Sequence, residues 1–339
     1  MATRASPVLT AAVLMGLAAA LGAGGWALMI RMPGASGVGP LRPLSPAEEE
    51  TRRRLEADVH HLAVTIGERS VWNPAGLRAA ADHIEQTFRG LGYAVESQSW
   101  ESHGQAVRNI EATLTGSLRP GEIVLAGGHY DSVIGTVGAN DNATGAAAVL
   151  EIARQQAGRQ RSRTLRLVAF VNEEPPHFNA GEMGSQYYAR AAARRGDRIV
   201  AMLSLETLGY YSDVPGSQRY PFPFSLLYPD RANFIGFVGN VASRQLVRRA
   251  IGTFRSVADI PSEGVAAPGF IPGVSWSDHG SFWPHGYPAI MVTDTALFRY
   301  PHYHTPEDLP QHIDFARLAR VVTGISRVVE ALADEAPAA

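Results

Sequence analysis

The chain has 339 residues, 45% of them hydrophobic and 18% charged, a balance that supplies a sizeable core and excludes a disordered or low-complexity protein. A net charge of -2 provides no basic excess for neutralising phosphates, which argues against a nucleic-acid partner. Cysteine is absent, so a disulfide scaffold, a thiol nucleophile and a cysteine-ligated metal are excluded, and any metal must be held by His, Asp and Glu.

The N-terminus differs from everything after it. No charge appears between Arg4 and Arg31, and Ala5 to Ile30 is long enough to span a bilayer as a helix. A cleaved signal peptide has a shorter apolar core followed by small residues at the cleavage site. Here the run continues through Trp26 and Met29. Residues 1–32 therefore read as an uncleaved signal anchor, with a cleaved signal and secretion as the alternative. Residues 33–44, rich in Gly and Pro, read as a tether, and residues 45–339 as one globular domain held outside the cytoplasm, periplasmic or extracellular.

Ser45-Pro46-Ala47-Glu48 is a capping box with Pro at the first helical position, which predicts a helix to about Thr65. A second helix is expected from Ala75 to Leu91, stopped by Gly92. Strands and helices then alternate. Strands are expected at Ile123–Ala126, Leu165–Val171, Ile199–Leu205, Phe234–Val238 and Ala289–Thr293. Helices are expected at Thr144–Gln156, Gly184–Arg194, Ala242–Phe254 and Phe315–Ala333. Apolar strands alternating with helices predict an α/β fold, a mostly parallel mixed sheet with helices on both faces. Tyr211–Asn233 and Asp259–Trp276, rich in Pro, Gly and aromatics, fit neither pattern and read as long loops walling a site.

In open α/β sheets, functional groups gather at the carboxyl ends of the strands. Here those ends read Gly127-Gly128-His129-Tyr130-Asp131, Val171-Asn172-Glu173-Glu174 and Ser204-Leu205-Glu206, with Pro301-His302-Tyr303-His304-Thr305 following the last strand. The loop Gly138-Ala139-Asn140-Asp141-Asn142-Ala143-Thr144-Gly145 opens a helix, for which Thr144 is the better cap candidate. So many acids on one rim repel one another unless cations neutralise them. Imidazole and carboxylate without sulfur suit zinc or another first-row divalent ion. The acids outnumber what one tetrahedral zinc needs, whereas two metals about 3.5–4 Å apart would use them all. Asp131 is placed to accept the second ring N–H of His129. Of the neighbours Glu173 and Glu174, one can ligate while the other acts as general base.

These segments together resemble the di-zinc aminopeptidase family typified by secreted bacterial leucyl aminopeptidases, with glutamate carboxypeptidases and glutaminyl cyclases as relatives. That family carries a His and Asp after a strand, an Asp in a Gly-Ala-x-Asp-x-Ala-Ser/Thr-Gly loop, a Glu-Glu pair, a further acid and a Tyr-His-Thr. All occur here in the same order, from about Leu77 onward. The resemblance implies a zinc-exopeptidase domain with two zinc ions, one on His129, Asp141 and Glu206 and one on Asp141, Glu174 and His304. It makes Glu173 the general base and Asp131 the acid that orients His129. It implies a cis Asp141–Asn142 peptide, and it brings Asp278 and His279 near the site. Three departures are visible: Glu206 where Asp is usual, Pro175-Pro176-His177-Phe178 with a longer segment after the Glu pair, and Leu309 after Asp308 in place of Thr. His177, His279 and His285 read as structural or pocket-lining. The run Tyr210, Tyr211, Tyr220, Phe222 and Phe224 reads as loop packing from which one ring can reach substrate. The expected activity is removal of N-terminal residues from peptides. The alternatives are a one-zinc glutaminyl cyclase-like acyltransferase and a non-catalytic ectodomain.

Overall fold

The computed structural model describes Met15, Gly16, Gly22 and residues 24–334. Among these residues no helix is long and apolar enough to cross a membrane. Most of the expected anchor, Ala5–Ile30, lies outside the described residues.

The domain begins at the capping box. Ser45 Oγ accepts from Glu48 N at 3.3 Å, and Glu48 Oε2 accepts from Ser45 N at 2.8 Å, opening helix α1 (Pro46–His60). Helix α2 (Pro74–Gly90) follows, capped by the Asn73 side chain. Strands β1 (Ala94–Ser102) and β2 (Gln105–Leu114) form a hairpin that the sequence reading did not assign. Its two-residue turn, His103-Gly104, has positive φ at both positions (49° and 73°), as the tightest right-twisting turns require. Then come β3 (Arg119–His129), α3 (Thr144–Gln156), β4 (Arg163–Phe170), α4 (Gly184–Arg195) and β5 (Arg198–Glu206). The chain continues through β6 (Ile235–Gly239), α5 (Arg244–Val257), β7 (Ser262–Ala266), β8 (Ala289–Thr293) and α6 (Phe315–Asp334). Of the two unassigned stretches, the first is loop with one helical turn at Phe224–Leu226, and the second contains β7.

The sheet has eight strands in the order β1-β2-β4-β3-β5-β8-β6-β7. Strands β4, β3, β5 and β8 are parallel, β6 and β7 are parallel to each other, and the remaining pairs are antiparallel. The central strands are covered on both faces. Val124 and Ala126 of β3 face one core, beneath α1, α3, α5 and α6, and Ile123 and Leu125 face the other, beneath α4. Register sets the parallel strand ends level: His129 lies beside Phe170, and Glu206 beside Thr293.

Within residues 33–44, expected as a tether, Pro33 to Gly37 are seated on the domain. Arg255 Nη1 donates to the carbonyls of Pro33 (3.1 Å) and Gly34 (3.3 Å), and Ser36 Oγ accepts from Ser262 N at 2.9 Å. Gly37 passes so close to Asp259 that an added Cβ would lie 2.1 Å from its carbonyl oxygen. The Gly and Pro content serves close packing on α5 and β7 here, not extension into solvent.

Candidate metal centre

Four parallel strands deliver the chemistry to one rim. His129 is the last residue of β3 and is fully buried. Glu206 is the last residue of β5, and Glu173 and Glu174 follow the end of β4. His304 arrives from the loop after β8 in a left-handed backbone conformation (φ 58°). Asp141 sits in the tight turn Ala139–Ala143 before α3, and its peptide bond to Asn142 is cis.

These side chains converge as overlapping groups: two share Asp141, and a third joins His129 to Glu173 and Glu174. His129 Nε2 lies 3.3 Å from Glu206 Oε2 and 3.5 Å from Asp141 Oδ1. His304 Nε2 lies 3.1 Å from Asp141 Oδ2 and 3.2 Å from Glu174 Oε2. Donors bonded tetrahedrally to zinc at about 2.0–2.2 Å stand about 3.4 Å from one another, so the spacing suits such an ion. The buried atoms His129 Nε2, Asp141 Oδ2, Glu174 Oε1 and His304 Nε2 have no hydrogen-bond partner. Buried polar atoms left this way are costly, and divalent cations held in the two groups would give them partners. The donor set, imidazole and carboxylate without sulfur, fits zinc.

Asp131 organises the rim. Its two carboxylate oxygens accept from Glu173 N and Glu174 N, each at 3.2 Å, while His129 Nδ1 lies 3.2 Å from the Asp131 backbone carbonyl oxygen and 3.4 Å from Oδ1. Asp131 thus holds the imidazole through its backbone carbonyl and the backbone of the Glu pair through its carboxylate. Glu173 Oε2 is 3.8 Å from His129 Nε2, so this side chain faces the same centre. Burial pushes the Glu173 carboxyl well up; His129 opposes this, while Glu206 and Glu174 push it further. On Asp141, burial raises the pKa, but the adjacent His129 and His304 outweigh it and hold the group below the usual carboxylate range.

Several contributors left little sequence signal. Asp308 accepts from Asn140 N at 2.8 Å, Asp141 N at 3.0 Å and Tyr300 Oη at 2.8 Å, holding the backbone on which Asp141 sits. Arg69 is fully buried and donates to the carbonyls of Tyr130 (2.7 Å), Val137 (2.7 Å) and Gly138 (3.0 Å), tying the end of β3 to the Asp141 loop. Ser277 Oγ donates to Glu206 Oε2 at 2.8 Å. Helix α3 is capped by Asn142, not by Thr144: Asn142 Oδ1 accepts from Gly145 N at 3.0 Å, whereas the Thr144 hydroxyl donates back to Asn140 O. Asp278 is buried, and burial pushes its carboxyl up to about 7. His279 is also buried, with Nε2 2.8 Å from Val274 O, and His285 ends the helical turn Trp283–His285 that follows Phe282. His302 stacks on His312 at 4.1 Å and stays out of the cluster. Tyr303 stacks on His304 at 3.8 Å.

An apolar cavity opens beside the cluster, with Glu206 and Tyr303 in its wall. Phe224, Phe237, Val265, Trp276 and Phe298 form much of the rest, so both long loops contribute. Tyr220 also lines it, whereas Phe222 is exposed and Tyr211 is buried in the core.

The charge balance has a measurable consequence. Burial, reinforced by Asp141 and opposed by His304, raises Glu174 to about 8. Burial lowers His304, but Asp141 and Glu174 outweigh it and raise it to about 10. Both groups hold protons in the folded chain that the unfolded chain has released near their ordinary values of about 4.5 and 6.5. Stability of the chelated protein therefore falls as pH rises, with both groups acting between about 6.5 and 8. Zinc bound by these two side chains would replace those protons, so its stabilising effect should grow over the same window. In scanning fluorimetry with and without EDTA, the midpoint of the chelated protein should drop from pH 6.5 to 8 and the zinc-induced rise should widen. A pH-independent zinc effect would contradict this charge balance.

The sequence profile described as "Peptidase family M28" matches residues 109–329. The chain is 38% identical over 281 residues to the uncharacterized protein YfbL of Escherichia coli, covering 80% of this chain and 85% of that protein. Its fold is similar to that of BSAP, a zinc aminopeptidase from Bacillus subtilis (TM-score 0.67, 15% identity, 85% of this chain and 96% of that one). It is also similar to Porphyromonas gingivalis glutaminyl cyclase (TM-score 0.61, 21% identity, 84% of this chain and 98% of that one).

Proposed function

Because the chain belongs to peptidase family M28, we propose that it is a zinc-dependent aminopeptidase that hydrolyses N-terminal residues from peptides, held outside the cytoplasm by the apolar segment Ala5–Ile30. The observation that carries this reading is the pair of donor triads, His129, Asp141, Glu206 and Asp141, Glu174, His304, that share one carboxylate. Each triad would hold one zinc ion. When bound, the two ions polarise the scissile carbonyl and make the attacking water more acidic.

The remaining steps belong to the protein. Glu173 accepts the proton of the attacking water at Oε2 and passes it to the nitrogen of the leaving amine. The carbonyl carbon gains the water oxygen, the C–N bond breaks, and the products are a free amino acid and a shortened peptide. Asp131 keeps His129 and the Glu173–Glu174 backbone in place while the charge moves. The apolar cavity next to Glu206 and Tyr303 takes the side chain of the N-terminal residue.

A panel of aminoacyl anilides and free-amino peptides tests the reading, alongside zinc analysis of the purified protein. The expected results are two zinc ions per chain and a preference for Leu, Met or Phe over Gly or Asp of at least about tenfold in kcat/KM, since a filled apolar pocket discriminates by about 1–3 kcal/mol per missing methylene. The fold likeness to a glutaminyl cyclase supports a second reading, with one zinc ion and cyclisation of N-terminal Gln. In that case mass spectrometry of Gln-peptides would show loss of ammonia without addition of water, the zinc ratio would be one, and aminoacyl anilides would remain intact.

A further inference from the structure

We propose that His103, His177 and Glu182 form a separate site for a first-row divalent transition ion such as zinc, clamping the β1–β2 turn to the loop that follows Glu174. Each residue offers one ligand atom, and the three atoms lie within 4.8 Å of one another. Glu182 Oε2 stands 3.2 Å from His177 Nδ1 and 3.9 Å from His103 Nε2. The first is close to the roughly 3.4 Å expected between donors on one tetrahedral zinc, and the second is about 0.5 Å longer, a gap the exposed His103 and Glu182 side chains can close. Two imidazoles and one carboxylate, with water completing the shell, are a donor set for zinc, nickel or copper, not for calcium or magnesium.

The local backbone is shaped to bring these donors together. His103 occupies the first left-handed position of the β1–β2 turn. Between His177 and Glu182 the chain reverses through positive φ at Asn179 (53°) and Gly181 (87°), with Ala180 N donating to His177 O at 3.0 Å. The His177 side chain is only 3% exposed, yet its Nε2 has no hydrogen-bond partner, so a half-exposed Glu182 is its polar contact among the described residues. A metal at Nδ1 would hold this buried ring more firmly than its single contact with an exposed carboxylate does. Trp72 packs by both rings, its centroid 5.3 Å from that of His103 and 6.1 Å from that of His177, and shields the site on one side. His177 N donates to Glu174 O at 3.0 Å, so a clamp here braces the loop that carries the Glu pair. This segment is the insertion in which the chain departs from the family pattern, and the site does not depend on the catalytic reading.

Equilibrium dialysis of the full-length protein against buffered free zinc tests the site. Wild type should bind one zinc ion per chain more than His103→Asn or Glu182→Gln. Asn tolerates the left-handed turn position, and both residues are exposed, so the variants should fold. The count is a difference between proteins with the same catalytic donors. Failure of the catalytic reading would change all totals together and leave the difference at one. Equal zinc content in wild type and both variants across the titration would overturn the site. Trp72 supplies a local readout: nickel should quench a part of the fluorescence in wild type that is missing from His103→Asn and from Trp72→Phe alike. Full quenching in His103→Asn would likewise overturn it.

Discussion

Glu173→Gln should keep both metals and lose about 10²–10⁴-fold in turnover, the usual contribution of a positioned general base. The amide has the shape of the carboxylate but cannot take the proton. Glu173 is buried, and its backbone N–H is held by Asp131 at 3.2 Å, so the replacement should not move the rim. The interaction with the moving proton exists only in the transition state, so kcat should carry the loss and KM should change little. Its neighbour should behave differently. Glu174 Oε2 stands 3.2 Å from His304 Nε2, within the triad completed by Asp141, and Glu174→Ala should release or weaken a metal together with activity. Zinc content and steady-state kinetics on both variants separate base from ligand within one dipeptide. Retention of more than about half the wild-type kcat in Glu173→Gln, with both metals in place, would remove Glu173 from the mechanism; a bystander acid away from the reacting atoms changes rates far less than the loss expected of a base.

The same rim explains what could be read from the sequence and what could not. The central strands β3, β4, β5 and β8 are largely buried on both faces, so apart from Arg166 in β4 their inner stretches are apolar, and charge returns at or just after their ends. That is why His129, Glu173, Glu174 and Glu206 stood out, and why the structure finds them side by side. The edges gave no such signal. In β1 only Ser102 is buried, and its sequence Ala-Val-Glu-Ser-Gln-Ser-Trp-Glu-Ser is mostly polar because most of the strand faces solvent. In β7 a Gly sits between Glu263 and Val265 because Met32 and Ile251 press against that position. The supporting residues were hidden for another reason. Asp308 holds the amide of a residue 167 positions earlier, and Arg69 works through backbone carbonyls on two other loops. Hydrogen bonds of that range depend on which loops the fold brings together and leave no periodicity or spacing behind. The stretch 33–44 shows the converse: its composition suggests freedom, but Ser36 and Gly37 are fixed by partners more than two hundred residues away.

Asp141→Asn should be the most damaging single change at the centre, because this side chain belongs to both triads. Its Oδ1 faces His129 at 3.5 Å and its Oδ2 faces His304 at 3.1 Å. The amide keeps one oxygen and turns the other into an NH2 group. Whichever way it rotates, one triad meets a donor where it needs a lone pair, and both lose the negative charge. The backbone should stay in place, since Asp308 holds the Asp141 amide at 3.0 Å and Asn142 Nδ2 is tied to Leu205 O at 2.8 Å. Removing one electrostatic stabiliser of a developing oxyanion costs about 10²–10³-fold, so weakening both sites together should cost about 10⁴-fold or more in kcat/KM. Zinc content should fall from two per chain to one or fewer, with an unchanged circular dichroism spectrum. His129→Ala makes the comparison sharper. If a single zinc on Asp141, Glu174 and His304 did all the chemistry, losing His129 would spare both metal content and rate; with two working sites it should remove one zinc and most of the activity. An Asp141→Asn protein that kept two zinc ions and near-normal turnover would show that no carboxylate is shared, and the two-metal arrangement would have to be abandoned.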